Sequence, residues 1–156
     1  MSETTWWRLP FAGDTWRRTG YALAALPVGV IGLALAVVGA VGPATRLQGG
    51  LARRLIAVAP RERHRWLGAV GHGLLSLPLN LVVAAVTLYA WSLVPTNLGF
   101  PLRIEAGESL EGSWGGPTLA GAWAVHAAGG LVFLFVNPWL VRGLTALQGG
   151  LLRRLL

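Results

Sequence analysis

His72, Asn80, Thr87, His126 and Asn137 are polar side chains set inside long uncharged runs of an apolar chain. A histidine in such a place can titrate near neutral pH or hold a ligand. The amides and the hydroxyl offer hydrogen bonds between helices. Each group is costly in hydrocarbon unless it is paired. Helical rise counted inward from Pro95 and Pro117 puts His72 level with Asn137, and Thr87 level with His126, on an antiparallel hairpin. Both pairs are expected to hydrogen-bond, at about 0.6 kcal/mol each. His126, the deeper histidine, reads best as a neutral group satisfying a neighbouring helix, with sensing of pH or a ligand as the alternative. His64, in PRERHRW, reads as a solvated interfacial residue.

Several chemistries are not expected. No two histidines have the spacing of helical metal ligands and no carboxylate falls within the uncharged runs, so no metal site is expected. The chain has no cysteine, which removes disulfides, thiolate ligands and cysteine nucleophiles. No nucleophile–base arrangement, P-loop or dinucleotide fingerprint occurs, so neither an enzyme nor a bound cofactor is expected.

Three further groups are candidates for other roles. Glu105, Glu108, Glu111 and Trp114, in RIEAGESLEGSWGG, could meet a cationic ligand or metal, although a solvated loop explains them as well. The pairs Gly49-Gly50 and Gly149-Gly150 stand in helix-like contexts, where each glycine costs about 1 kcal/mol relative to alanine. A hinge or a close approach of backbone accounts for that cost, close packing being the commoner reason. Ala120, Ala124 and Ala128, with Gly121 and Gly129 adjacent, form a small-residue stripe suited either to packing within the chain or to a homodimer.

The elements that must position these groups follow from hydropathy. Of 156 residues, 54% are hydrophobic and 12% charged, against about 25% charged in soluble domains. The mean hydropathy is +0.57. Residues 19–45, 66–102 and 112–141 contain no charged side chain, and about 20 apolar residues suffice for a helix to cross a bilayer. Spans are therefore expected at about 20–42, 67–94 and 118–141, in a multi-pass protein of the cell membrane. The lead before them carries Trp6, Trp7, Arg8, Trp16, Arg17 and Arg18, suited to the headgroup level. A short amphipathic helix is expected over 44–59, with Leu47, Leu51, Leu55 and Val58 as its apolar stripe, and a second in TALQGGLLRRLL at the C-terminus. The class is thus all-α: a polytopic helical bundle of about three transmembrane helices plus two interfacial helices, forming a single domain over 1–156.

Charge sets the orientation. The formal charge of +7 comes from arginine alone among the basic residues, since there is no lysine. The arginines flank apolar spans and form no single basic face, which argues for anionic lipid and against nucleic acid. The segment 44–66 and the tail are arginine-rich, whereas 96–117 holds only Arg103. Spans two and three therefore form a hairpin with an outer loop at about 96–117 and cytoplasmic ends. Span one is flanked by arginine on its far side as well. A single crossing is the reading taken, and a re-entrant segment broken at Pro27 or its glycines is the alternative.

The chain also repeats itself. LQGGLARRLI (47–56) matches LQGGLLRRLL (147–156), and TWRRTGYALAALPVG resembles RWLGAVGHGLLSLPLN. Two halves result, about 10–60 and 61–156, each with a tryptophan, a span bearing Leu-Pro and an arginine-rich end. This order, with NPWLVRGLTALQGGLLRRLL closing the chain, resembles the putative sensor domain family of actinobacterial membrane proteins, from about Pro10 to Leu156. The resemblance implies a four-helix membrane module with cytoplasmic termini, found alone or ahead of a histidine-kinase core. Here Gly42-Pro43 runs directly into RLQGG, where a further span would stand, so the first half is shortened. No phosphoacceptor histidine motif or ATP-binding segment accompanies it, and kinase activity is not expected. The leading expectation is a non-catalytic membrane sensor, embedded in the lipid bilayer and acting on a histidine kinase or other cytoplasmic regulator. A small transporter or channel subunit is the alternative.

Overall fold

The computed structural model of the chain describes residues 6–60 and 66–156. His64 and its neighbours Arg61, Arg63 and Arg65 lie outside the described residues. Among those described the regular structure is entirely helical. A 3-10 turn (Trp6–Phe11) leads into α1 (Gly13–Val37), followed by α2 (Val41–Ile56), α3 (Trp66–Leu98), the short α4 (Phe100–Glu105) and α5 (Leu119–Leu155). Three of these, α1, α3 and α5, are long and apolar enough to cross a membrane, with mean hydropathies of 2.1, 1.8 and 1.8.

Local chemistry accounts for the boundaries. The Thr15 hydroxyl donates to the Leu9 carbonyl at 2.7 Å and ties the 3-10 turn to the start of α1. Gly39 ends α1 in the left-handed region, φ 83°, while the Ala40 N–H returns to the Leu35 carbonyl at 2.8 Å. The Thr118 hydroxyl caps α5 by accepting from the Gly121 N–H at 3.2 Å. Prolines do not stop these helices. Pro27 lies within α1, Pro78 and Pro95 within α3, and Pro138 within α5. The break at Pro27 weighed as the alternative for span one is absent, and α3 overruns its expected end at Pro95 to reach Leu98.

Side-chain contacts fix the directions. At one end the Trp66 indole donates to the Ala36 carbonyl at 2.9 Å, and a Cβ on Gly68 would lie 2.7 Å from the Leu155 carbonyl oxygen. The start of α3 thus meets the ends of α1 and α5. Farther along α3, the Trp91 indole donates to the Thr19 hydroxyl at 3.2 Å and stacks on Trp16 at 4.8 Å. Asn137 donates to the Ala90 carbonyl at 2.7 Å. Hence α1 and α5 each run antiparallel to α3 and parallel to one another. They are also staggered. Asp14 and Arg18, at the start of α1, meet Arg142 and Thr145 of α5, so α1 lies beside the last four turns of α5.

Two expectations about the ends are corrected. The C-terminal segment is no helix of its own, because α5 continues unbroken through it. Helix α2 doubles back along α1 and buries Ala44, Thr45, Gln48, Gly49, Ala52 and Ile56, whereas Leu47 of the expected stripe is 38% exposed. The reason is distance: close helix pairs select small contact residues, which turns Leu47 outward and leaves Leu51, Leu55 and Val58 partly buried at the edge of the core.

The whole bundle follows the same inversion. Ala22, Ala36, Ala44 and Ala52 are completely buried, with Thr15, Thr87, Asn137 and Thr145, while Leu74, Leu75, Leu81, Val82 and Leu88 are exposed. A fold in water puts large aliphatic side chains inside. Contiguous exposed aliphatics around a core of alanine and polar groups suit a hydrocarbon surrounding.

Candidate functional site: a buried polar junction

Asn80 stands on α3 two residues beyond Pro78, facing α1 on one side and the end of α5 on the other. Its amide nitrogen donates to the Ala25 carbonyl at 2.9 Å, and its oxygen accepts from the Gln148 amide at 2.8 Å. Both ends of the side chain are used. Gly29 makes the approach possible, since a Cβ there would lie 3.0 Å from the Asn80 nitrogen. Gly32 does the same for Gln48, whose side chain occupies the space a Cβ would need.

These groups line one small cavity with His72, Ser76 and Tyr21. Its volume is about 20 Å³, the room of a single water molecule. His72, Asn80, Gln48 and Gln148 are each at most 5% exposed. The Ser76 hydroxyl donates to the Gly73 carbonyl at 3.3 Å. The His72 Nδ1 and the Gln148 Oε1 have no partner among the described residues. An unpaired buried group of this kind costs about 1–3 kcal/mol. The junction therefore holds one completed hydrogen-bond chain, Gln148–Asn80–Ala25, beside two groups still able to accept or exchange a bond. All four large helices contribute, and the matching glutamines of the two LQGG segments enter from α2 and α5.

A family model described as Putative sensor matches residues 42–156, from α2 to the end of α5. The chain belongs to that family. No curated protein and no solved structure matches it. The family match takes in Gln48, His72, Asn80 and Gln148, the polar heart of the junction.

In this sensor-family chain the expected pairs His72–Asn137 and Thr87–His126 do not form. Asn137 bonds to Ala90 instead, its oxygen is unpaired, and the Thr87 hydroxyl is buried without a partner among the described residues. His126 is half-buried and stacks on Phe100 at 4.0 Å, while its Nδ1 lies 2.8 Å from the Ala122 carbonyl of its own helix. A carbonyl only accepts, so Nδ1 carries the proton. The cause of both mismatches is register. Gly130 is the residue of α5 that packs against Asn97 and Leu98, so the turns before it lie beyond the end of α3, where His126 meets Phe100 of α4. Asn137 thereby comes level with Ala90.

The remaining candidates divide. Gly49 and Gly149 are tightly packed: a Cβ on Gly49 would lie 2.9 Å from Pro60, and one on Gly149 would lie 3.2 Å from Val58. Gly50 and Gly150 face open space. In the segment 96–117 Glu108 forms two hydrogen bonds with Arg103, at 2.9 and 2.6 Å. Those bonds hold its carboxyl below the usual carboxylate range. Glu105, Glu111 and Trp114 are exposed, and no cluster able to hold a metal occurs among the described residues. Ala120, Ala124 and Ala128 lie on the exposed side of α5.

Sequence reasoning passed over Gln48, Gln148, Ser76 and Tyr21. The glutamines sit beside arginines and read as surface. Their signal was the repeat itself, which keeps glutamine at the same place in both LQGG segments.

Proposed function

We propose that the chain is a non-catalytic integral membrane sensor module that passes a change in helix packing to a partner at the cytoplasmic face. The observation that carries this reading is the junction: a buried polar node joining α1, α2, α3 and α5 with part of its hydrogen-bonding capacity unused. Such a node has more than one way to pair, so two packings of the bundle can lie close in energy. The arginine-bearing turns of α2 and α5, with Arg53, Arg54, Arg153 and Arg154, start only a few residues beyond Gln48 and Gln148. A re-pairing at the node shifts those turns, and a cytoplasmic histidine kinase or other regulator reads the shift.

The orientation that serves this role puts the loop after α3 outside and the arginine-rich ends inside. The Asp14–Arg142 ion pair, at 3.2 Å, lies at the start of α1, which faces the later part of α3 where Trp91 meets Thr19. With α1 antiparallel to α3, this orientation makes α1 a single crossing that starts toward the outer side and ends beside Trp66 at the cytoplasmic side. Asp14 pairs with Arg18 and Arg142 to offset part of the charge at that start.

The absence of native cysteine gives a clean test. Spin labels at Arg54→Cys and Arg154→Cys in the reconstituted full chain report the separation of the two ends. Two populations of distance, whose ratio moves with pH, bilayer thickness or lipid charge, are expected. A single distribution that stays fixed under all three would sink the sensor reading.

A further inference from the structure

Gly50 is unexplained by the fold. A Cβ placed on it would meet nothing within 4 Å, so alanine there would stiffen α2 at no steric cost. Its neighbour Gly49, by contrast, is needed beneath Pro60. A Cβ would meet nothing at Gly20, Gly71, Gly129, Gly143 and Gly150 either, so an open glycine marks no site by itself; at Gly50 the question is what fills the space.

Its surroundings say what. Gly50 is the notch in a ridge formed by Arg46, Gly50 and Arg54, spaced four residues apart on one side of α2. The adjoining ridge is Leu47 and Leu51, and Val28 of α1 closes the groove, whose volume is about 280 Å³. Arg46 and Arg54 are both exposed. Neither takes part in an ion pair among the described residues. The groove thus has an apolar floor, a missing side chain at its centre and a guanidinium at each end, about 12 Å apart along the helix. It also lies against α1, whose exposed Val30 and Ile31 belong to a helix apolar enough for a membrane.

We propose that this notch binds one anionic phospholipid. A phosphate sits within reach of Arg46 and Arg54, and an acyl chain lies across Gly50 against Val28, Leu47 and Leu51. Two guanidinium groups select negative charge, while the aliphatic floor and the neighbouring lipid-facing helix select an amphiphile over a soluble anion. The site is independent of the sensing role, because lipid retention is measured with no signalling partner present.

The test uses the full chain reconstituted in phosphatidylcholine containing a minor fraction of phosphatidylglycerol, then released in mild detergent and weighed by native mass spectrometry. Wild-type protein should retain one phosphatidylglycerol in preference to phosphatidylcholine. Gly50→Leu, which fills the notch, and the double variant Arg46→Gln/Arg54→Gln should each lower that retention by about tenfold or more. Arg153→Gln/Arg154→Gln removes the same charge elsewhere and should leave it intact. Circular dichroism confirms that each variant folds, and the arginine pair carries the test if Gly50→Leu does not. Equal retention of the two lipids overturns the proposal, as does an equal fall for the two arginine pairs, which would mark diffuse surface attraction.

Discussion

The junction around Asn80 and the outer end around Arg103 both hold polar groups, yet they are built on opposite terms. At the outer end Arg103 and Glu108 meet in an exposed, bidentate ion pair, and His126 rests against Phe100 with its proton bound to its own helix. Every one of those contacts is local or lies at the edge. At the junction Asn80, Gln148 and Ala25 come from three different helices, and Gly29 and Gly32 make room for the Asn80 and Gln48 amides. Water can substitute for a partner at the outer end, and nothing does so cheaply inside. Changes at the two places should therefore differ in size, and the same contrast explains why the inner region is the better candidate for a switch.

The sharpest way to break this contrast is Gly32→Leu. Its side chain would enter the space of Gln48 and force α2 off α1, at about 3 kcal/mol. Unfolding in mixed micelles measures it, and an unaltered midpoint would mean that α2 is loosely held. Next is Asn80→Leu, which leaves the Ala25 carbonyl and the Gln148 amide without their partner. About 2 kcal/mol is expected, with Asn137→Leu as the comparison because it breaks one such bond instead of two.

Smaller effects separate the two glycines of each pair. Gly50→Ala should raise stability by about 0.5–1 kcal/mol, whereas Gly49→Ala should lower it by driving a Cβ against Pro60. Equal responses would favour a hinge over close packing. The smallest effect belongs to Glu108. Its carboxyl is held below its ordinary value of 4.5 by Arg103, so the ion pair's contribution is complete above that value and fades as pH falls through the lowered one. Since the pair is exposed, carbon-detected NMR of the carboxylate should follow the titration, while the unfolding midpoint of Glu108→Gln should match wild type.

Much of this architecture is written in hydropathy. The uncharged runs mark out α1, α3 and α5 because each is apolar and long enough to cross a membrane as a helix. Pairing was less legible. Pro95 looks like a stop, but a proline lacks only one donor, and α3 carries on to Leu98. More important, the first turns of α5 run past the end of α3, so that Gly130 meets Asn97 and Leu98, an offset that hydropathy does not carry. The junction was half visible: His72 and Asn80 stand out within an apolar run, whereas Gln48 and Gln148 are camouflaged by neighbouring arginines. In α2 the leucine stripe suggests an apolar face laid on the membrane, whereas the alanines and Gly49 are what allow the backbone near its neighbours.

One short passage of chain touches both arginine-bearing ends. The run from Ile56 to Pro60, with Ala57 in the left-handed region at φ 55°, presses on Gly49 through Pro60 and on Gly149 through Ile56 and Val58. It is a common fulcrum. A tilt of either end would press on the same short run, so the two ends are expected to move together.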